Sequence, residues 1–292
     1  MANIVNFPVS VDHSMEALPA TSRIRQIYPE DLFPNGSLDY WRNYAQLPYG
    51  RVRYWLLGPE DGTKVVLIHG ISTPGVTWKE IAPYLAEHGF RVLVYDLYGK
   101  GYSEAPKTAF DATLFVVQLA LLLQYIRWDA AHIVGFSMGG GVAASFAASV
   151  PHLVAGKVVF IAAAGLLTRL SAPNPSARVP IPEHLELRDL QSSALPGYKR
   201  SLQSCVDVGP IRGLEAAYDA VSKVAAGPAQ EPLQVLVIHG TDDAIVPYEE
   251  ANKIKGRVPQ AEIVPVEGAT HSLVLQEGHW QIVAENLARF LK

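Results

Sequence analysis

Short, unbroken apolar runs alternate along this chain with stretches in which apolar residues recur every three or four positions. The runs are Val65–His69, Arg91–Asp96, His132–Phe136, Lys157–Ala162, Gln234–His239 and Glu262–Glu267. Such short runs suit parallel strands that are covered on both faces. Between them, Thr77–His88 places Trp78, Ile81, Ala82 and Leu85 at helical spacing, and Ala112–Ile126, Met138–Ser149, Pro247–Lys255 and His279–Leu291 also read as helices. Tyr40–Leu47 and Arg51–Leu57 are β-rich runs on either side of Pro48-Tyr49-Gly50, the pattern of a hairpin. The β-α alternation predicts an α/β fold with a doubly wound, mostly parallel sheet.

Two stretches break the rhythm. Residues 1–37 mix Pro, Ser and charge with little periodicity and read as an irregular N-terminal extension. Residues 166–231 begin with the Pro/Ser-rich stretch SAPNPSARVPIP and continue with helix-like segments such as Leu214–Ala225. An insertion there would sit over the C-terminal edge of the strands, where open α/β sheets place their ligands. The expected organisation is therefore an extension (1–37), a core (38–165 and 232–292) and a small helical lid (166–231).

Composition narrows the function classes. The hydrophobic share is 49% and the charged share 18%, enough apolar residues for a large core. A net charge of −4 offers no basic footprint for nucleic acid, so none is expected as a partner. Cys205 is the single cysteine, which excludes an internal disulfide and a cysteine-based zinc site. With no histidine pair at H-E-x-x-H spacing either, no metal and no cofactor is expected. The first twenty residues lack the basic start and apolar centre of a secretory signal. The longest apolar stretch, Leu114–Ile126, is interrupted by Gln118 and Gln124 and falls short of the ~18 residues of a membrane helix. The expectation is a cytoplasmic protein.

The sharpest chemical signal is Gly135-Phe136-Ser137-Met138-Gly139-Gly140, which follows a strand and opens a helix. A G-x-S-x-G run in that context is a nucleophile elbow. The chain must turn within a residue or two, and side chains two positions before and after the serine would collide across the turn. The following helix aims its N-terminal N–H groups at the site. A serine hydroxyl needs a base. Of the nine histidines, His271 stands apart, in a loop between the last strand and the last helix. The others lie in the extension, at helix or strand ends, or in the expected lid. His69 reads as a packing histidine, and His239 as part of a turn. An orienting acid is available at Asp242 or Asp243, and composition alone allows either. The first could turn back to cap its own loop. For an oxyanion, the N–H groups of Met138 and of Ile71, in the loop after Val65–His69, are the candidate donors.

Taken together, these residues resemble the α/β-hydrolase superfamily over roughly residues 40–292. The resemblance rests on His69-Gly70, the turn Asp96-Leu97-Tyr98-Gly99-Lys100-Gly101-Tyr102-Ser103, the elbow at Ser137, Gly240 through Pro247, and His271, in that order. It implies an eight-stranded sheet and the triad order Ser, Asp, His. The family pattern G-x-x-D-x-x-x-P falls on Gly240, Asp243 and Pro247, which makes Asp243 the implied acid. A serine nucleophile is unlike epoxide hydrolases and haloalkane dehalogenases. The loop His69-Gly70-Ile71-Ser72 is unlike the HGGG-type motif of the hormone-sensitive-lipase branch. The elbow is similar to those of esterases, monoacylglycerol lipases and cofactor-free perhydrolases. The resemblance implies a serine hydrolase of small-molecule carboxylic esters. Carbon–carbon hydrolysis or perhydrolysis on the same triad is one alternative, and a hydrolase-fold ligand receptor or scaffold is another. Apolar residues of the insertion (Leu166, Leu167, Leu170, Val179, Ile181, Leu185, Leu195 and Tyr198) are expected to cover the core and to line a pocket for small to medium acyl chains.

Overall fold

The computed structural model describes residues 9–33, 43–168, 182–227 and 230–292. Leu170, Val179 and Ile181, most of the stretch SAPNPSARVPIP, and Tyr40 at the start of the expected hairpin lie outside the described residues. In chain order the strands of the main sheet are β2 (Tyr44–Leu47), β3 (Gly50–Leu57), β4 (Thr63–Ile68), β5 (Phe90–Tyr95), β7 (Ala131–Phe136), β8 (Val154–Ile161), β11 (Gln234–Gly240) and β12 (Glu262–Val266). They form one eight-stranded sheet in the order β12-β11-β8-β7-β4-β5-β3-β2. The hairpin β2–β3 joins it antiparallel through β5, and the other neighbours run parallel. Short strands β1 (Val11–Asp12) and β6 (Ala105–Pro106) pair with each other, as do β9 (Ala225–Ala226) and β10 (Glu231–Pro232).

Strand periodicity divides the core in two. Val66, Ile68 and Ile133 face one side, and Val65, Leu67 and Val134 face the other. The first side is covered by α3 (Ala112–Tyr125), α4 (Met138–Ser149) and α8 (Glu249–Arg257), through residues such as Leu119, Val142 and Ile254. The second is covered by α2 (Ile81–Glu87) and α9 (His279–Leu291), through Leu85, Val283 and Leu287. The helix expected over Thr77–His88 is divided into a 3₁₀ turn at Gly75–Trp78 and α2. Pro83 explains the break, because it has no N–H to donate and its ring blocks the carbonyl four residues earlier. Among the described residues no helix is long and apolar enough to cross a membrane.

The N-terminal stretch differs from the expected irregular extension. Besides β1 it carries a 3₁₀ turn, Met15–Ala17, and helix α1 (Arg23–Ile27). Met15, Ile24, Tyr28 and Phe33 are buried. These elements are too short to show periodicity; single apolar residues dock one by one. Tyr28 Oη donates to the buried Asp96 Oδ1 at 2.8 Å, and Tyr102 Oη donates to the Tyr28 carbonyl at 2.6 Å. Asp96 also accepts from Gly75 N (2.7 Å) and Tyr102 N (2.8 Å). Burial pushes its carboxyl up to about 6, although these hydrogen bonds pull the other way. Gln118 serves the same turn: it donates to the Asp96 carbonyl and accepts from Tyr98 N. The residue that interrupts the apolar run of α3 thus satisfies buried backbone groups. We expect Tyr28→Phe to lower stability by about 1–3 kcal/mol, since a buried carboxylate loses a donor. Urea unfolding measures this, and an unchanged midpoint would mean the bond contributes nothing.

Between β8 and β11 lie α5 (Pro182–Ala194), α6 (Pro196–Val208) and α7 (Glu215–Val221). They do not act as one layer. Helix α7 packs against α4 and α8. Its Tyr218 is buried and donates to the Ala164 carbonyl at 2.7 Å. Helices α5 and α6 instead meet the N-terminal stretch and the turn after β5, with Arg23 bonded to Glu186 and Arg200 to Asp12.

Candidate active site

The C-terminal ends of β7, β11 and β12 bring together three side chains. Ser137 stands between β7 and α4 with φ 55° and ψ −121°, a backbone that non-glycine residues seldom adopt. The elbow is held there by its neighbours. Ser137 N donates to the Ile161 carbonyl, and the Ser137 carbonyl accepts from Gly140 N and Ala164 N, all at 2.9 Å. A Cβ on Gly135 would lie 2.1 Å from the Gly139 oxygen, and one on Gly139 would lie 2.3 Å from the Ile68 oxygen. Both positions admit only glycine, the collision expected from the motif.

His271 lies in the loop after β12. Its Nε2 is 3.0 Å from Ser137 Oγ, and its Nδ1 is 2.7 Å from Asp243 Oδ2. A carboxylate can only accept, so Nδ1 carries the proton and Nε2 is free to receive one from the serine. The Phe136 ring packs on the imidazole at 5.1 Å, and Trp78 meets Phe136 edge-on at 6.3 Å. The loops bearing Asp243 and His271 are joined through their backbones. Asp242 N donates to the Ala269 carbonyl, and Thr241 N donates to the Val266 carbonyl.

Asp243 is buried, and its other oxygen, Oδ1, accepts from Ile245 N (2.8 Å) and Val246 N (2.9 Å). The Asx turn expected of Asp242 thus belongs to Asp243 itself, which uses one oxygen for its loop and the other for the imidazole. Asp242 is exposed, and its carboxylate meets Thr241 Oγ1 at 3.4 Å. His239 does more than end a strand. Its Nε2 donates to the Val246 carbonyl at 2.8 Å and lies 3.6 Å from Asp243 Oδ2, bracing the acid's loop. The sequence signal for that role was a histidine four residues before the acid.

Burial of Asp243 acts to raise its carboxyl. The charge of His271, the adjacent His239 ring and the Val246 N–H outweigh that and hold it well below the usual carboxylate range. A carboxyl held down stabilises the fold above its unfolded value, about 3.9, and that stabilisation is lost as pH falls toward the folded value. Unfolding free energy should therefore fall more steeply below about pH 4 in the native chain than in Asp243→Asn, by up to ~1.4 kcal/mol per pH unit. Urea titrations from pH 6 to pH 3 measure it; parallel slopes would contradict the argument.

The two N–H groups predicted to face an oxyanion flank Ser137. Met138 is the first residue of α4, so its N–H has no intrahelical acceptor. A Cβ on Gly70 would lie 3.3 Å from Ser137 Cβ, which places the loop carrying Ile71 against the serine. His69 is fully buried, and Leu97 N donates to its Nε2 at 2.9 Å. Its proton must then sit on Nδ1, which donates to the Gly70 carbonyl at 2.8 Å. Burial lowers the imidazole to about 3, so it stays neutral. The packing histidine of the sequence reading thus also fixes the peptide plane that bears the Ile71 N–H.

A mostly parallel sheet with helices on both faces, a strained serine at a strand-helix turn and a histidine–carboxylate pair beside it define a hydrolase-type α/β protein. Residues 65–286 match the Alpha/beta hydrolase family, and the chain belongs to it. It is 27% identical over 261 residues to a non-heme chloroperoxidase from Streptomyces lividans, covering 80% of this chain and 94% of that one. It is 27% identical over 254 residues to a 2-hydroxymuconate semialdehyde hydrolase from Pseudomonas sp. strain CF600, covering 78% and 84%. It is 25% identical over 264 residues to a bifunctional esterase/perhydrolase from Acinetobacter calcoaceticus, covering 80% and 94%.

Proposed function

We propose that the protein is a serine hydrolase that cleaves carboxylic esters of small to medium acyl chains through an acyl-enzyme on Ser137. The observation that carries this is the hydrogen-bonded line from Ser137 Oγ through His271 to Asp243, at 3.0 and 2.7 Å. His271 Nε2 takes the serine proton as Oγ attacks the ester carbonyl, then returns it to the leaving alcohol. Asp243 holds the imidazole tautomer and stabilises its cation. The N–H groups of Ile71 and Met138 receive the oxyanion. Water, deprotonated by the same histidine, releases the acid and frees Ser137. Helices α5 and α6 are read as the cap, a reading supported by Gln191 and Tyr198, which reach the Ser72 carbonyl in the loop beside Ser137.

A second reading, hydrolysis of a carbon–carbon bond, draws support from the similarity to the semialdehyde hydrolase. Both chemistries use the same three side chains, so substrates must separate them. With p-nitrophenyl esters from two to sixteen carbons, kcat/KM should rise from acetyl to butyryl or hexanoyl, by about fourfold per methylene at ~0.8 kcal/mol each. It should fall before the long chains, with no activation at an oil–water interface. A maximum at sixteen carbons would indicate a lipase flap. A dienol ketone turned over faster than every ester would favour the second reading.

A further inference from the structure

The loop from His69 to Pro74 carries the Ile71 N–H and has no regular structure, so its shape depends on what grips it. One end is held by His69, and the other by Gly75 N bonded to Asp96. Its middle is held from outside the core. The Ser72 carbonyl accepts from Tyr198 Oη at 2.8 Å and from Gln191 Nε2 at 3.3 Å. Both donors come from the inserted helices, Gln191 on α5 and Tyr198 on α6, and both side chains are fully buried.

The amide of Gln191 has a fixed direction. Its Oε1 accepts from Gly101 N at 2.9 Å, which turns the NH₂ toward Ser72. The helices themselves are seated firmly. Lys100 Nζ donates to Ser201 Oγ at 2.6 Å, and a Cβ on Gly99 would lie 2.6 Å from Ser201 Cβ. Two bonds from Arg23 to Glu186 add an outer tie.

We propose that Gln191 and Tyr198 are positioning residues for the oxyanion hole, acting through the Ser72 carbonyl one residue from Ile71. His69 orients the peptide that bears the donor, and the inserted helices add a second grip one residue further on, so the place of the Ile71 N–H depends on both. This rests on the proposed acyl-enzyme chemistry at Ser137. Loss of an oxyanion donor itself costs about 10²–10³ in kcat. A donor that stays but drifts should cost less, about tenfold.

The test uses the full chain with Tyr198→Phe, Gln191→Met and the double variant; Arg23→Ala serves as a control that removes the outer tie and leaves both donors to the Ser72 carbonyl in place. Sites are counted by fluorophosphonate labelling. Then kcat, KM and the affinity of butylboronic acid, which forms a tetrahedral adduct on the serine, are measured. Tyr198→Phe should lower kcat per labelled site about tenfold with KM within about twofold. Boronate affinity should weaken by the same factor, and the double variant should lose more. Arg23→Ala should match the native chain. Native kcat per site and native boronate affinity in the folded variants would overturn the proposal. So would a fall in labelled sites with kcat per site unchanged, the mark of a merely structural role. Should Tyr198→Phe fail to fold, Gln191→Met tests the same carbonyl with the same two outcomes. Absence of labelling at Ser137 in the native chain would instead overturn the acyl-enzyme reading.

Discussion

Ser137→Ala is expected to abolish covalent capture of a fluorophosphonate and to lower ester hydrolysis about 10⁶-fold, with the fold intact. The size follows from the unity of the triad. Without Oγ there is nothing for His271 to deprotonate, and Asp243 then orients an imidazole with no partner. In serine hydrolases, loss of the nucleophile costs about as much as loss of the whole triad, and the remaining 10³–10⁴ over water comes from the oxyanion donors and binding. The fold should survive because Ser137 is fixed by its backbone: its N–H and carbonyl make three hydrogen bonds, none of which uses Oγ. Alanine keeps the positive φ problem that serine already has, so the change in strain is small. Mass spectrometry of the labelled protein reads the outcome. Labelling of the alanine variant at another residue would remove Ser137 from its role.

The second large effect separates two neighbouring carboxylates. Asp243→Asn should lower kcat about 10⁴-fold, because an amide can donate to Nδ1 and so stabilises the wrong tautomer. Asn at this position still accepts the Ile245 and Val246 N–H groups through its oxygen, so the loop retains its turn. Asp242→Asn should cost less than about tenfold, since that side chain is exposed and its backbone N–H, which holds the Ala269 carbonyl, is unaffected. Steady-state kinetics on one short-chain ester decides the matter. Reversed effects would place the acid one residue earlier.

The strands and long helices were readable because their patterns are local. Helices Met138–Ser149 and His279–Leu291 match their expected bounds. The elbow announces itself because steric exclusion at Gly135 and Gly139 leaves one residue type. That Ser137, His271 and one aspartate of the loop after Gln234–His239 would meet could be anticipated from parallel strands whose ends open on one edge, but the choice of Asp243 over Asp242 came from the family resemblance alone. Other features depended on partners distant in sequence. The docking of Tyr28 on Asp96 spans 68 residues and has no periodic trace. The position of α7 under α4, apart from α5 and α6, is a packing choice that its short apolar pattern does not declare. The roles of His69 and His239 appear only once a carbonyl and an N–H fall within reach of each ring. The turn role expected of Asp242 fell to Asp243 as well, because an aspartate has two oxygens and one residue could do both tasks.

The N-terminal stretch has a consequence for synthesis. Asp12 is tied to Arg200, 188 residues later, so it must wait for its partner to emerge. At 5–20 residues per second that delay is roughly ten to forty seconds. Throughout it Met15, Ile24, Tyr28 and Phe33, all buried in the finished fold, lack part of their cover. This stretch is thus made before the helices that complete its cover and settles only after them.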